Sequence, residues 1–259
     1  MADSRGKSSI WSISSKRRSD KVTDNPPGFA GRRDRLHGRR HGHKLRPGQQ
    51  ARLETGLTAR RTNVASIAAS GPAGIFPSPP REVWLEVGFG GGEHIAWQAA
   101  RNPDIGLIGC EVFETGIVTL LAHLDESPHD NVRILVDDAH LALDVLPEAS
   151  LARAFILFPD PWPKTRHHKR RFVSPATMDA LARVLRPGAE LRLATDDVKY
   201  LRVMLEVACG HPDFEWLARR PADWRERPVD WPQTRYEAKA ISQDRPPAFL
   251  RLVRRPHAG

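Results

Sequence analysis

The chain has 259 residues, 40% of them hydrophobic, which suits one mid-sized α/β domain with an appendage or two small domains. It carries a net charge of +9, and its two cysteines, Cys110 and Cys209, fit neither a disulfide framework nor a zinc-binding spacing, so no metal is expected. No apolar run of about 18 residues and no apolar leader core occurs, so neither a membrane span nor a secretory signal is expected, and the reading is cytoplasmic.

The charge is unevenly placed. Residues 1–61 hold 16 Lys+Arg against 5 Asp+Glu, while the other 198 residues hold 24 against 26. A basic arm on a near-neutral body points to a polyanion partner; a solvated tail kept for solubility is the plainer alternative. The start is Arg- and Ser-rich like a transit peptide, but Asp3, Asp20 and Asp24 count against that. Residues 1–30 lack any apolar period and read as a disordered basic tail. Residues 31–80 read as a basic arm with a short helix from Pro47, closed by a Gly/Pro/Ser linker from Ser70 to Pro80. The main domain is then 81–259.

From Arg81 strands and helices alternate. A strand over Glu82–Val87 precedes a helix over Glu93–Arg101. Ile105–Glu111 is a strand, followed by a helix over Glu114–Leu124. Val132–Val136 is a strand, with a short helix through Leu146. Ala154–Phe158 is a strand. Ser174 and Pro175 open a helix to Leu185 as N-cap and first helical residue, and Arg186-Pro187-Gly188 stops it. Glu190–Ala194 is a strand, Asp197–Ala208 a helix and Ala248–Val253 a strand. This alternation predicts a largely parallel sheet covered on both faces, with ligands beyond the carboxyl ends of the strands.

Four motifs fall there. The loop Glu86-Val87-Gly88-Phe89-Gly90-Gly91-Gly92-Glu93 follows the first strand. A dinucleotide fingerprint needs glycine where Glu93 stands, and a pyrophosphate gains nothing from a carboxylate at that helix start. An acid before glycines suits a cationic ligand without phosphate, such as the methyl donor S-adenosylmethionine. Glu111 ends the second strand and can accept both hydroxyls of a ribose; an exposed strand-end carboxylate is the alternative. Asp138 follows the third strand and can accept from an adenine amino group, cap the next helix, or both, with Asp137 second in line. Fourth is Phe158-Pro159-Asp160-Pro161-Trp162-Pro163-Lys164, followed by Thr165-Arg166-His167-His168-Lys169-Arg170-Arg171. Its prolines stiffen the loop around Asp160. Five Lys/Arg within the eight positions 164–171, next to a tryptophan, point to nucleic acid. Asp196, ending the fifth strand, and Glu237, near the C-terminus, read alone as caps or surface charges.

The glycine loop, Glu111, the PDPWPKTRHHKRR string, Ala194-Thr195-Asp196 and Thr234-Arg235-Tyr236-Glu237 together resemble the bacterial tRNA (guanine-N7-)-methyltransferase family over roughly residues 35–254. The PDPWPK string and the HHKRR run after it are highly specific; the glycine loop is shared by many methyltransferases. The resemblance implies a Rossmann-like class I methyltransferase, with a mostly parallel seven-stranded sheet and helices on both faces. It implies S-adenosylmethionine as donor and a variable-loop guanosine of tRNA as acceptor. It implies donor contacts from Glu86, Gly88, Gly90, Glu111, Asp138 and Asp160, with Asp160 the catalytic acid. It implies substrate contacts from Lys164, Asp196, Thr234, Arg235, Tyr236 and Glu237, and RNA contacts from Arg166, His167, His168, Lys169, Arg170 and Arg171. A monomer is expected. The long basic arm departs from the family pattern. Two rival readings stay open: an amino-group methyltransferase, since Asp160-Pro161-Trp162-Pro163 neighbours the Asn/Asp-Pro-Pro-aromatic motif of such enzymes, and a non-catalytic RNA-binding subunit.

Overall fold

A computed structural model of the protein describes residue 42 and residues 44–127 and 130–256. The tail expected over residues 1–30 lies outside the described residues. Eight strands form one sheet: β1 (Arg61–Thr62), β2 (Glu82–Val87), β3 (Ile105–Cys110), β4 (Val132–Leu135), β5 (Leu151–Leu157), β6 (Leu185–Thr195), β7 (Phe214–Trp216) and β8 (Ala248–Arg254). Their order across the sheet is β1-β4-β3-β2-β5-β6-β8-β7. Pairings from β1 to β6 are parallel, and β8 runs antiparallel to both β6 and β7. Nine α-helices occur among the described residues: α1 (Pro47–Arg60), α2 (Val64–Gly74), α3 (Glu93–Arg101), α4 (Glu114–Asp125), α5 (Ala139–Val145), α6 (Pro175–Val184), α7 (Val198–Met204), α8 (Ala222–Arg225) and α9 (Arg235–Ser242).

Side-chain alternation along the strands feeds two cores. Leu85, Ile108, Ile156 and Leu193 meet α2, α5, α6 and α7 through Ile67, Leu143, Leu181 and Met204 on one face. Trp84, Leu107, Ile134 and Phe155 meet α3 and α4 through Ile95, Ile117 and Leu120 on the other, with Leu53 and Leu57 of α1 packed against them. Beside β6 and β8 the segment before α9 packs on the sheet, with Trp231 against Ala194 and Phe249.

The mostly parallel Rossmann-like sheet stands as expected, with eight strands among the described residues where the resemblance implies seven. The strands not read in the sequence are β7 and β1, the latter pairing two residues with Ile134 and Leu135, too few for any periodicity to show. Of the stretch read as arm and linker, residues 31–41 and 43 lie outside the described residues, and the rest is more ordered than its composition suggests. α1 packs on α4, β1 joins the sheet edge, and α2 packs on α5. α2 runs through the start of the expected linker to Gly74, with a kink at Gly71. Arg186-Pro187-Gly188 ends α6 as expected but lies inside β6, which pairs first through Leu185 with Leu151 and shifts register before Arg153–Glu190. Ser174 does cap α6, accepting from the Thr177 N–H at 3.3 Å. The helix expected to Ala208 ends at Met204 and continues as one wide π turn over Leu205–Cys209. No helix among the described residues is long and apolar enough to cross a membrane.

One packing contact holds the top of the sheet together. α4 lies so close to the loop after β2 that a Cβ on Gly116 would collide with the Gly90 carbonyl oxygen. Gly116→Ala should therefore lower stability by about 1–3 kcal/mol, the usual cost of overpacking, read as a lower urea midpoint with an unchanged denaturant slope.

Candidate active site

The loops after β2, β3, β4 and β5 enclose a cavity of about 390 Å³ at the carboxyl edge of the sheet. Six carboxylates line it: Glu86, Glu111, Asp138 and Asp160 at four different strand ends, with Asp137 beside Asp138 and Glu93 at the start of α3. Gly88, Gly90, Trp162, Arg170 and Tyr236 complete much of the rest. Residues spread over 150 positions of sequence thus meet because parallel strands bring their carboxyl ends to one side.

Glu111 is the brace of the site. Its Oε2 accepts from the Gly90 N–H at 2.9 Å, and its Oε1 accepts from the N–H groups of Val112 and Phe113 at 2.7 and 3.0 Å. The carboxylate therefore ties the glycine loop to the start of α4. Burial pushes its carboxyl above the ordinary range, the three N–H donors pull it back, and the charge of Asp160 adds to the push. Gly90 itself sits at φ 56°, and a Cβ there would lie 2.8 Å from the Tyr236 ring, so the loop has room only for glycine.

Glu86 is almost wholly buried, and its Oε2 meets His94 Nδ1 at 2.7 Å. Sequence reading missed His94. The signal was present: Glu86 precedes the glycine turn, and His94 and Gln98 stand four apart on the otherwise apolar inner stripe of Ile95 and Ala99. Asp138 caps α5 as expected, accepting from the His140 N–H at 2.9 Å and meeting His140 Nδ1 at 2.8 Å.

Asp160 is exposed at the cavity mouth. Its loop is held in an uncommon shape, with Phe158 at φ 52° and Trp162 at φ 44°, each a position worth about 1–3 kcal/mol of strain. Three contacts hold it there. The Phe158 N–H donates to Ala194 O at 2.8 Å, Arg171 Nε donates to Pro161 O at 2.8 Å, and the Arg170 guanidinium lies 5.0 Å over the Trp162 ring.

The basic run divides. Arg166, His168 and Lys169 are exposed and His167 half-buried on a short 3₁₀ turn over Thr165–Arg170. Arg170 is half-buried and faces the cavity. Arg171, expected on RNA, is instead buried at 8% exposure, with its guanidinium 5.1 Å over the Tyr200 ring. Burial pushes that phenol up to about 12, so it stays neutral beside the cation. The Arg171 Nε on a carbonyl and its guanidinium over an aromatic face clamp the loop.

The Thr234–Glu237 segment also divides. Thr234 caps α9, accepting from the Glu237 N–H at 3.3 Å. Tyr236 is half exposed and leans on the glycine loop, and Arg235 pairs with Glu93 at 3.2 Å. Glu237 points inward: its Oε1 accepts from Arg227 Nε at 3.0 Å and its Oε2 is buried without a partner. Burial pushes its carboxyl up, and Arg227 pulls it back. Lys164 is exposed, and Asp196 pairs with Arg245 at 3.1 Å. Neither is among the residues lining the cavity.

A family model described as "Putative methyltransferase" matches residues 80–250. The chain is 48% identical over 227 residues to the tRNA (guanine-N(7)-)-methyltransferase of Rhodospirillum rubrum, covering 86% of this chain and 89% of that protein. It is 50% identical over 225 residues to the protein of the same name in Paramagnetospirillum magneticum, covering 85% and 93%. With that of Ruegeria pomeroyi it shares 45% identity over 234 residues, covering 86% and 95%.

The split of the basic run is testable by stability alone. Arg171→Ala should cost about 1.5–3 kcal/mol, the worth of a hydrogen bond from a charged group, whereas Lys169→Ala should stay within about 0.5 kcal/mol of the parent. Urea unfolding of the two variants gives the comparison.

Proposed function

The chain belongs to the tRNA (guanine-N7-)-methyltransferase family, and we propose that it moves a methyl group from S-adenosylmethionine to N7 of a variable-loop guanosine in tRNA. The observation that carries the reading is the cavity wall: six carboxylates around a glycine loop, Glu93 at the start of the following helix among them. That set repels a pyrophosphate and suits a ligand bearing an ammonium and a sulfonium. In this reading Glu86 takes the ammonium, Glu111 the ribose hydroxyls and Asp138 the adenine amino group. Glycines 88 and 90 let the backbone approach the ligand.

S-adenosylmethionine, when bound, supplies an electrophilic methyl group. Guanine N7 is a bare acceptor lone pair, so it takes a methyl group without first losing a proton, and no strong base is needed. The ring gains positive charge as the bond forms. Asp160, at the cavity mouth in a loop held by the three contacts above, stabilises that charge and accepts from the base edge. Orientation supplies much of the rest of the rate. Tyr236 and Trp162 flank the opening and offer aromatic faces to an unstacked base. Lys164, Arg166, His167, His168 and Lys169 beside the loop are read as the RNA-facing set, with Arg170 between them and the cavity, and Asp196 and Thr234–Glu237 as the substrate side. The place of work is read as the cytoplasm, consistent with Cys110 and Cys209 both being free.

The test is nucleoside mass spectrometry of unmodified tRNA after incubation with the protein and the donor. N7-methylguanosine is expected; a methyl on an exocyclic amine, or none, refutes the reading. Two variants probe the assignment. Asp160→Ala should fold normally and lose about 10²–10³ in turnover; full turnover removes Asp160 from the chemistry. Glu111 should make donor affinity pH-dependent. Its carboxyl takes up a proton at higher pH than an ordinary glutamate, and the protonated form cannot accept both ribose hydroxyls. Affinity should therefore fall as pH falls through that raised value, and Glu111→Gln should flatten the profile at a lower overall affinity, read by calorimetry across pH.

A further inference from the structure

Behind the cavity wall, Glu86 is joined to two buried polar groups, His94 and Gln98, that the chemistry above leaves without a role. Glu86, His94 and Gln98 are each 2% exposed. Gln98 Nε2 donates to the Asp230 carbonyl at 2.9 Å and meets His94 Nε2 at 3.2 Å, while His94 Nδ1 meets Glu86 Oε2 at 2.7 Å. Chemistry fixes the direction of this chain. A carbonyl oxygen can only accept, so the group facing Asp230 is the amide nitrogen of Gln98. Its other face as an acceptor agrees: Gln98 Oε1 takes a hydrogen bond from Asn102 Nδ2 at 3.3 Å. That same amide nitrogen faces His94 Nε2, which must then be the bare, accepting nitrogen. The proton of the imidazole therefore sits on Nδ1 and is donated to Glu86. A second proton on the ring would set N–H against N–H at Gln98.

The ring is held in place from both sides, its centroid 4.6 Å from Phe155 and 5.4 Å from Trp231. Glu86 thus receives one neutral donor on Oε2. Its Oε1 has no partner among the described residues, and Glu86 lines the cavity. We propose that His94 is a positioning residue: held as the Nδ1–H tautomer by Gln98, it fixes the Glu86 carboxylate, undischarged, with one oxygen presented to the ammonium of the donor. An imidazolium in the same place would cancel the charge that the ammonium needs. The chain ends on Asp230, next to Trp231 and four residues before the Thr234 cap. The donor carboxylate and the strap leading to α9 therefore share one hydrogen-bonded anchor.

This rests on the reading that Glu86 takes the ammonium, so the experiment separates the two. The probes are S-adenosylhomocysteine and 5′-methylthioadenosine, both neutral thioethers, of which only the first carries the amino-acid end. In an asparagine the amide nitrogen takes the place of imidazole Nδ1; in a glutamine it takes that of Nε2. His94→Gln should weaken S-adenosylhomocysteine about tenfold to a hundredfold and leave methylthioadenosine within about threefold. His94→Asn should restore S-adenosylhomocysteine to within about threefold of the parent. Equal affinities for the Asn and Gln variants, or equal losses for both probes, overturn the proposal. If the Gln variant binds neither probe, His94→Asn decides alone: near-parental binding supports the proposal and loss of S-adenosylhomocysteine overturns it. Glu86→Gln is the control. Should it keep its affinity for S-adenosylhomocysteine, the ammonium reading of Glu86 fails whatever His94 does; should it lose that affinity while His94→Gln does not, only the positioning role fails.

Discussion

The site depends on keeping carboxylates charged at a half-buried sheet edge. An unpaired ionised acid there would take up a proton or leave for water. Glu111, Glu86, Asp138 and Asp160 meet that constraint in different ways, and the first two tie separate parts of the fold together. Three backbone N–H groups hold Glu111 and bind the glycine loop to α4. His94 holds Glu86 and links β2 to α3 and to the strap before α9. The first turn of α5 holds Asp138. Asp160 is the exposed one, and its place is set by the backbone of a strained, proline-rich loop. The three braced acids suit binding; the one on a stiff loop at the mouth suits a role that acts on a second, larger substrate.

That loop shows how a sequence run can conceal two functions. A string of basic residues reads as one solvated surface, and by charge alone Lys169 and Arg171 are equivalent. The fold separates them because Arg171 stands where the chain turns inward to Phe172, Val173 and the cap of α6. There its guanidinium meets a carbonyl and the Tyr200 ring. The same holds for Thr234–Glu237. Its spacing is that of a helix cap, Thr234 performs that role, and Glu237 is drawn inside to Arg227. Thr234 and Glu237 are thus held by the fold, while Arg235 and Tyr236 lie about half exposed against the glycine loop.

Much of this was legible beforehand, for physical reasons. Strands buried on both faces leave continuous apolar runs, so β2, β3 and β4 were placed within a residue of their observed ends. The acids were found because glycines and strand ends mark where backbone and side chains meet a ligand. What escaped lacked a periodic signal. β1 has two residues and β7 three. The start of β5 was hidden by the register shift opposite Leu185. α2 runs through Gly71 and Pro72, which read as a linker. His94 sits on an inner helix stripe, where a histidine passes for core until its partner across the sheet is known.

Which group of the donor each acid holds decides the chemistry of the site. A crystal structure of the protein with S-adenosylhomocysteine tests this most directly. The account predicts both ribose hydroxyls within about 3.2 Å of Glu111, the adenine amino group equally close to Asp138, and the ammonium on the free oxygen of Glu86. A ligand bound in the opposite direction, or a ribose clear of Glu111 with that carboxylate still engaged only by backbone N–H groups, would contradict it.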